Sequence, residues 1–265
     1  MAKARPKRLK ILQVSDCHLS ADPKADYRGQ NADRNLKKLL PAMRAWDPDL
    51  VLATGDVSED GSAASYARAA VWLGTVGAPL LALPGNHDDP AVMKKHFPQG
   101  PWGGPYGREA GPWLLLLLDS TVEGEVSGRL SQQVLEKLDE RLRGSNAAFV
   151  LLALHHQPVP VNARWIDRYA LENPDLFWNF VDRDGRVECV TWGHVHQDYQ
   201  ERRKGATLLG SPSSVANSLP NTERFTLDLT GPSCRWIELG PEGEVETGVL
   251  RPLQSSTGRT SQRIR

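Results

Sequence analysis

Six of the seven histidines in this 265-residue chain fall in four short stretches: Asp16-Cys17-His18, Gly85-Asn86-His87-Asp88, His155-His156 and Gly193-His194-Val195-His196. A fifth stretch, Gly55-Asp56, adds another carboxylate, and His96 alone lies elsewhere. Carboxylate oxygen and imidazole nitrogen are the donors that a divalent transition ion takes, so the chemistry these residues point to is metal chemistry. A lone histidine is more often a hydrogen-bonded core residue, and a lone Gly-Asn-His is more often a turn; the signal here is the recurrence. In an extended backbone, residues two apart point to one side, which would pair Asp16 with His18 and His194 with His196.

Each stretch follows an apolar run: Ile11–Val14, Leu50–Ala53, Leu80–Leu83, Phe149–Leu154 and Val187–Trp192. Runs of this length read as strands, and the exit of a strand is where an open α/β sheet presents side chains to a ligand. Helical periodicity lies between them. Leu36, Leu39, Leu40 and Met43 predict a helix over Asn31–Trp46, stopped by Asp47-Pro48. Gly61-Ser62 opens a second helix that runs to Thr75, and Ser131 caps a third that runs to Arg143 with a stripe of Val134, Leu135, Leu138 and Leu142. Trp113–Leu118, continuous in leucine, reads as a strand buried on both faces. Phe97–Pro112, rich in Gly and Pro, reads as a loop.

Val159–Phe180 interrupts the alternation with Trp165, Tyr169 and Trp178, an insert that would shape the site, form a homodimer contact or simply pack into the core. From Ala206 onward the strands come without helices, so the expected fold is two sheets packed face to face with helices outside. Residues 9–253 are expected to form one domain, between a basic flexible N-terminus (1–8) and a disordered polar tail (254–265).

Lys and Arg total 32, as do Asp and Glu, and the pI is about 7.1. A neutral chain has no field to gather a nucleic-acid polymer or an anionic membrane surface. Trp113–Leu118 is the longest apolar run, far below the roughly 20 residues of a membrane-spanning helix. The basic start lacks the apolar stretch of a signal peptide, which makes a cytoplasmic location the expectation. Three cysteines, Cys17, Cys189 and Cys234, are scattered without metal-ligand spacing, which argues against a disulfide framework or a thiolate zinc site.

Taken in order, the five stretches resemble the five motifs of the calcineurin-like metallophosphoesterases. The resemblance implies a four-layer α/β/β/α sandwich and two divalent ions, iron or manganese foremost, with zinc or cobalt as alternatives. It assigns Asp16, His18 and His196 to one ion and Asn86, His155 and His194 to the other, with Asp56 bridging. His87 is then a non-ligand that protonates the leaving alkoxide or neutralises the phosphate, oriented by Asp88. The nucleophile implied is a bridging hydroxide, because two metals drop the pKa of bound water toward about 7. For His156, substrate contact and simple packing are both consistent with the pattern.

Within that family the chain is similar to the bacterial class III 3′,5′-cyclic AMP phosphodiesterases from Ile11 to about Arg251. The likeness adds Tyr27-Arg28-Gly29, His155-His156-Gln157-Pro158, Tyr169-Ala170-Leu171-Glu172-Asn173, Gly210-Ser211-Pro212-Ser213-Ser214-Val215, and a closing hairpin through Arg235–Leu239 and Gly243-Glu244-Val245. Gln157 and Val215-Ala216-Asn217 depart from the residues common there and are expected near the base pocket. The activity implied is hydrolysis of 3′,5′-cyclic AMP to 5′-AMP, with promiscuity toward other diesters. The substrate contacts would come from Asn86, His87, His156 and His196. The competing readings are a phosphodiesterase acting on a glycerophosphodiester or a 2′,3′-cyclic nucleotide, and a catalytically silent phosphate-binding scaffold.

Overall fold

The computed structural model describes residues 7–253. The expected flexible N-terminus (1–8) and disordered tail (254–265) therefore lie almost wholly outside the described residues. The exceptions are Lys7, which hydrogen-bonds Asp49, and Arg8, which pairs with Glu246 at 2.8 Å.

The chain runs β1 (Leu9–Val14), β2 (Asp26–Tyr27), β3 (Gln30–Asn31), α1 (Ala32–Trp46), β4 (Leu50–Thr54), α2 (Ala63–Gly74), β5 (Leu80–Leu83) and α3 (Pro90–His96). It continues with β6 (Tyr106–Ala110), β7 (Trp113–Leu117), α4 (Gln132–Gly144), β8 (Phe149–Leu154), α5 (Arg164–Asp167), α6 (Pro174–Asp184) and β9 (Val187–Trp192). The remainder is β10 (Tyr199–Arg203), β11 (Ala206–Gly210), β12 (Asn217–Ser218), β13 (Leu227–Asp228), β14 (Cys234–Leu239) and β15 (Val245–Leu250). Two large sheets result, ordered β15-β14-β1-β4-β5 and β10-β11-β9-β8-β7-β6. β1, β4 and β5 are parallel in the first, and β7, β8, β9 and β11 in the second.

The two-residue period of a strand builds four layers. In β7, Trp113, Leu115 and Leu117 enter the layer between the sheets with Ile11, Leu52, Leu151 and Ile237. Leu114 and Leu116 face the other way, onto Leu135, Leu138 and Leu142 of α4. On the opposite flank Leu12 and Val14 pack with Leu36, Leu39 and Met43 of α1 and with Tyr66 and Leu73 of α2. Burying each such side chain stabilises the fold by about 1.5–3 kcal/mol. The expected α/β/β/α sandwich is thus what the chain forms. Among the described residues no helix is long and apolar enough to cross a membrane.

Helix ends follow their local chemistry. Asn31, Ser62 and Ser131 each accept a hydrogen bond from the backbone N–H three residues on, satisfying an orphan donor of α1, α2 and α4. Asp47 ends α1 in the left-handed region, its N–H donating to the Arg44 carbonyl.

One expectation changes, and one open alternative is decided. The Gly- and Pro-rich segment before Trp113 contains a strand, β6, paired antiparallel with β7. The β7 leucines stay buried whichever residues pair beside them, so ladder bonds hold a strand that composition does not announce. The aromatic insert is mostly core: Phe177 is fully buried, and Trp178 donates its indole N–H to the Pro158 carbonyl and lies under Arg203. Tyr169 is its exposed aromatic.

Candidate functional site

The loops leaving β1, β4, β5, β8 and β9 meet on one rim, so the site is drawn from both sheets. Asp16, His18, Asp56, Asn86 and His87 come from the first, and His155, His194 and His196 from the second. The rim is tied together by backbone bonds, Asp16 N–H to the Gly55 carbonyl at 3.0 Å and His18 N–H to the Asp56 carbonyl at 2.9 Å. Beneath it Gln13, fully buried between the sheets, donates to Thr54 Oγ1 and to the Trp192 carbonyl, both at 3.0 Å, and accepts from Thr191. That buried network locks the relative position of the strands that carry the site.

The expected extended geometry is not how the pairs converge. Asp16, His18, Asp56, His194 and His196 all have positive φ, between 43° and 67°. Non-glycine residues rarely adopt this region, and it costs of order 1–3 kcal/mol each, a strain typical of functional loops. Asp16 and His18 nevertheless bring their ligand atoms within 4.8 Å of each other and of His196.

Close approach explains two glycines. A Cβ on Gly55 would stand 2.8 Å from the Gly85 nitrogen and closer still to the His155 ring. One on Gly85 would stand 2.7 Å from His155 Cε1 and collide with the Asp56 carboxylate.

Asp16 and Asp56 are 0% and 2% exposed, and among the described residues neither carboxylate has a Lys or Arg partner. Their neighbours are imidazoles: His196 Nε2 lies 3.3 Å from Asp16, His155 Nε2 3.5 Å and His18 Nε2 3.7 Å from Asp56. Burial works to raise the Asp56 carboxyl, but the His155 and His18 imidazoles hold it well below the usual range. Burial likewise opposes charge on His155, yet Asp56 and Asp16 carry its pKa up to about 9.

Each of four imidazoles has one nitrogen anchored to protein and the other turned inward. Nδ1–H of His155 donates to the Thr54 carbonyl at 2.8 Å, that of His196 to the Ala216 carbonyl at 2.8 Å, and that of His18 to Glu59 at 2.7 Å. His194 reverses the pattern, Nε2–H donating to the Tyr169 carbonyl at 3.1 Å and Nδ1 remaining available. Burial and the neighbouring His156 and His155 hold His194 well below the ordinary histidine pKa, hence neutral. The two inward nitrogens of His18 and His196 stand 3.2 Å apart, lone pair toward lone pair, an arrangement that a cation between them would relieve. Asn86 Oδ1 lies 3.2 Å from the inward nitrogen of His155. Asp16, His18 and His196 form one group able to hold an ion, and Asp16, Asp56 and His155 another. Outer hydrogen bonds that fix tautomer and ring orientation are what metal-bound histidines show, so the residues fit divalent ions.

Several expected roles change place. Asp88 does not reach the His87 ring; its carboxylate accepts from Gly85 N–H and Ser58 N–H at 2.9 Å and from the Tyr66 hydroxyl at 3.1 Å, clamping the loop. The carboxylate beside His87 is Glu59, with Oε2 3.2 Å from Nδ1. Position 59 carries the signal Asp56-x-x-Glu59, which lacks any histidine and passes for a turn residue. His156 is fully buried with Nδ1 accepting from the Ser120 hydroxyl and Nε2–H donating to the Val126 carbonyl. Burial and the adjacent His155 push its pKa down to about 3, so it is a neutral packing residue against His155 and His194 with no free atom for substrate.

Gln157 and Asn217 are also buried rather than facing the cleft. Gln157 donates to the Ile166 carbonyl, and Asn217 ties Ser213 to Gly231. His87, its side chain 37% exposed, is the solvent-facing histidine of the centre; its N–H donates to Asp56 Oδ1 at 3.0 Å.

Residues 9–198 match the family profile described as calcineurin-like phosphoesterase. The chain is 35% identical over 243 residues to the 3′,5′-cyclic adenosine monophosphate phosphodiesterase CpdA of Pseudomonas aeruginosa, covering 91% of this chain and 89% of that one. It is 34% identical over 247 residues to the enzyme of the same name from Escherichia coli strain K12, covering 92% and 90%. Among solved structures, a dimetal phosphatase from Danio rerio superposes with a TM-score of 0.65 at 15% identity, covering 92% of this chain and 99% of that one, a likeness of fold.

Proposed function

The chain belongs to the calcineurin-like phosphoesterase family, and on that premise we propose that it is a metal-dependent cyclic nucleotide phosphodiesterase that converts 3′,5′-cyclic AMP to 5′-AMP. The observation that carries the reading is the set of four anchored imidazoles whose inward nitrogens face two buried carboxylates and Asn86. Asp16, His18 and His196 would hold one ion, and Asn86, His155 and His194 the other, with Asp56 between them. Two divalent ions bound there would supply hydroxide at neutral pH and positive charge for the non-bridging phosphate oxygens. The chain's own contribution is orientation: the Thr54, Ala216 and Tyr169 carbonyls and the Glu59 carboxylate keep each donor atom aimed inward.

His87 is the residue for the proton. It is exposed toward substrate, has its backbone pinned by Asp56, and has Nδ1 facing Glu59, which leaves Nε2–H to protonate the departing 3′ alkoxide. No side chain is required as a covalent nucleophile. A single negative charge on a cyclic diester suits such a centre, and the solvent exposure of the His87 side chain suits more than one diester.

The experiment is turnover by purified, metal-loaded protein of 3′,5′-cyclic AMP beside 2′,3′-cyclic AMP, a glycerophosphodiester and an aryl phosphodiester. Release of 5′-AMP from the 3′,5′-cyclic substrate is the expected result. Turnover of the others alone would move the substrate elsewhere.

A further inference from the structure

Beside the His18 and His196 pair stands a group of rings from three distant parts of the chain. Tyr27 stacks on His18 with ring centroids 4.0 Å apart and planes 11° apart. Trp165 and Phe225 lie 6.2 Å and 6.1 Å from the His196 ring and meet each other edge to face at 5.2 Å. The β2–β3 turn carries Arg28 and Gly29 at positive φ, 52° and 78°, and sends the Arg28 guanidinium over these rings. It lies 4.2 Å from the Phe225 centroid, 5.5 Å from Tyr27 and 5.7 Å from Trp165.

Two facts set this group apart from ordinary packing. Arg28 is exposed, and its hydrogen bond goes to the neutral Tyr27 hydroxyl at 3.2 Å, with no carboxylate pairing with it among the described residues. Among the described residues the Trp165 indole Nε1–H has no acceptor. A guanidinium resting on a ring with no anion to hold it keeps its second face free, and that face stacks on a planar π system. An unsatisfied indole donor costs free energy until an acceptor arrives.

Resting on the proposed phosphodiesterase reading, the geometry points to Arg28, Phe225 and Trp165 as the nucleobase subsite, which prefers cyclic purine nucleotides to diesters without a base. With the phosphate at the metal-binding donors, the flat remainder of a nucleotide falls against the rings next to His196. The base stacks on the open face of Arg28, with Trp165 and Phe225 forming the wall beside it. A larger purine face gains more from such stacking than a pyrimidine does.

The test is calorimetric binding of 5′-AMP and of ribose 5-phosphate to manganese-loaded protein, comparing wild type with Arg28→Ala and the conservative Phe225→Leu. Wild type should bind 5′-AMP about tenfold more tightly than ribose 5-phosphate, and each variant should lose most of that preference while its affinity for ribose 5-phosphate changes less than twofold. Equal weakening of both ligands by Arg28→Ala would make Arg28 a phosphate contact and overturn the subsite. An unchanged preference in both variants would overturn it as well. If neither ligand binds and no diester is turned over, the phosphodiesterase reading fails and takes the subsite with it. If cyclic AMP is turned over while the preference ignores both variants, the subsite fails alone.

Discussion

Glu59 holds Nδ1 of His87 at 3.2 Å with the same oxygen that receives Nδ1–H of His18 at 2.7 Å. One carboxylate thus aims both His18, a donor of the proposed metal-binding set, and His87, the residue proposed to deliver the proton. Replacing Glu59 by Gln keeps its shape and removes its charge. Metal affinity should fall about 10–100-fold, the usual effect of losing an outer partner of a ligating histidine. Metal content after dialysis against graded chelator, read beside the thermal transition, checks this; unchanged retention would make the contact incidental.

His87 should matter most where the leaving group is poorest. His87→Asn is expected to lower turnover of 3′,5′-cyclic AMP by about 10²–10⁴, the range of general acid catalysis. An aryl diester leaves as a stabilised phenolate and needs little protonation, so its loss should be at least tenfold smaller. Equal losses on both substrates would assign His87 to electrostatic binding of the phosphate instead.

Gly85→Ala inserts a methyl against the Asp56 carboxylate and the His155 ring. The expected result is a protein of near-native circular dichroism that retains less than half the metal of wild type. Full metal retention with full activity would show that the rim yields more easily than its interlocking bonds imply.

Sequence carried the site further than it carried the fold's edges. The strands that end in histidine or aspartate announce themselves, because buried apolar runs and ligand pairs are both local patterns. What stayed hidden is set by tertiary contact: β6 exists because β7 offers it a ladder, and Glu59 gains meaning only when the loop after β4 folds against His18 and His87. Asp88 is beside His87 in sequence and is the partner that local spacing suggests. The turn sends its carboxylate back to Gly85 and Ser58 instead. The extended spacing expected of Asp16 and His18 put both on one side through a backbone that the molecule does not use.

The three cysteines are buried, and burial pushes the thiols of Cys17 and Cys189 up to about 12 and raises Cys234 too. Since the thiolate is the reactive form, none should be alkylated or titrated by a disulfide reagent in the native protein at neutral pH. All three should react once the protein is denatured. Rapid labelling of Cys17 in the native state would show that the loop between Asp16 and His18 opens.

Metal dependence is the point on which everything else turns. Protein stripped of metal by chelation should release no 5′-AMP from 3′,5′-cyclic AMP, and titration with manganese should restore turnover that levels off at about two ions per chain. Turnover that persists in the stripped protein, or none at any metal loading, would contradict the account.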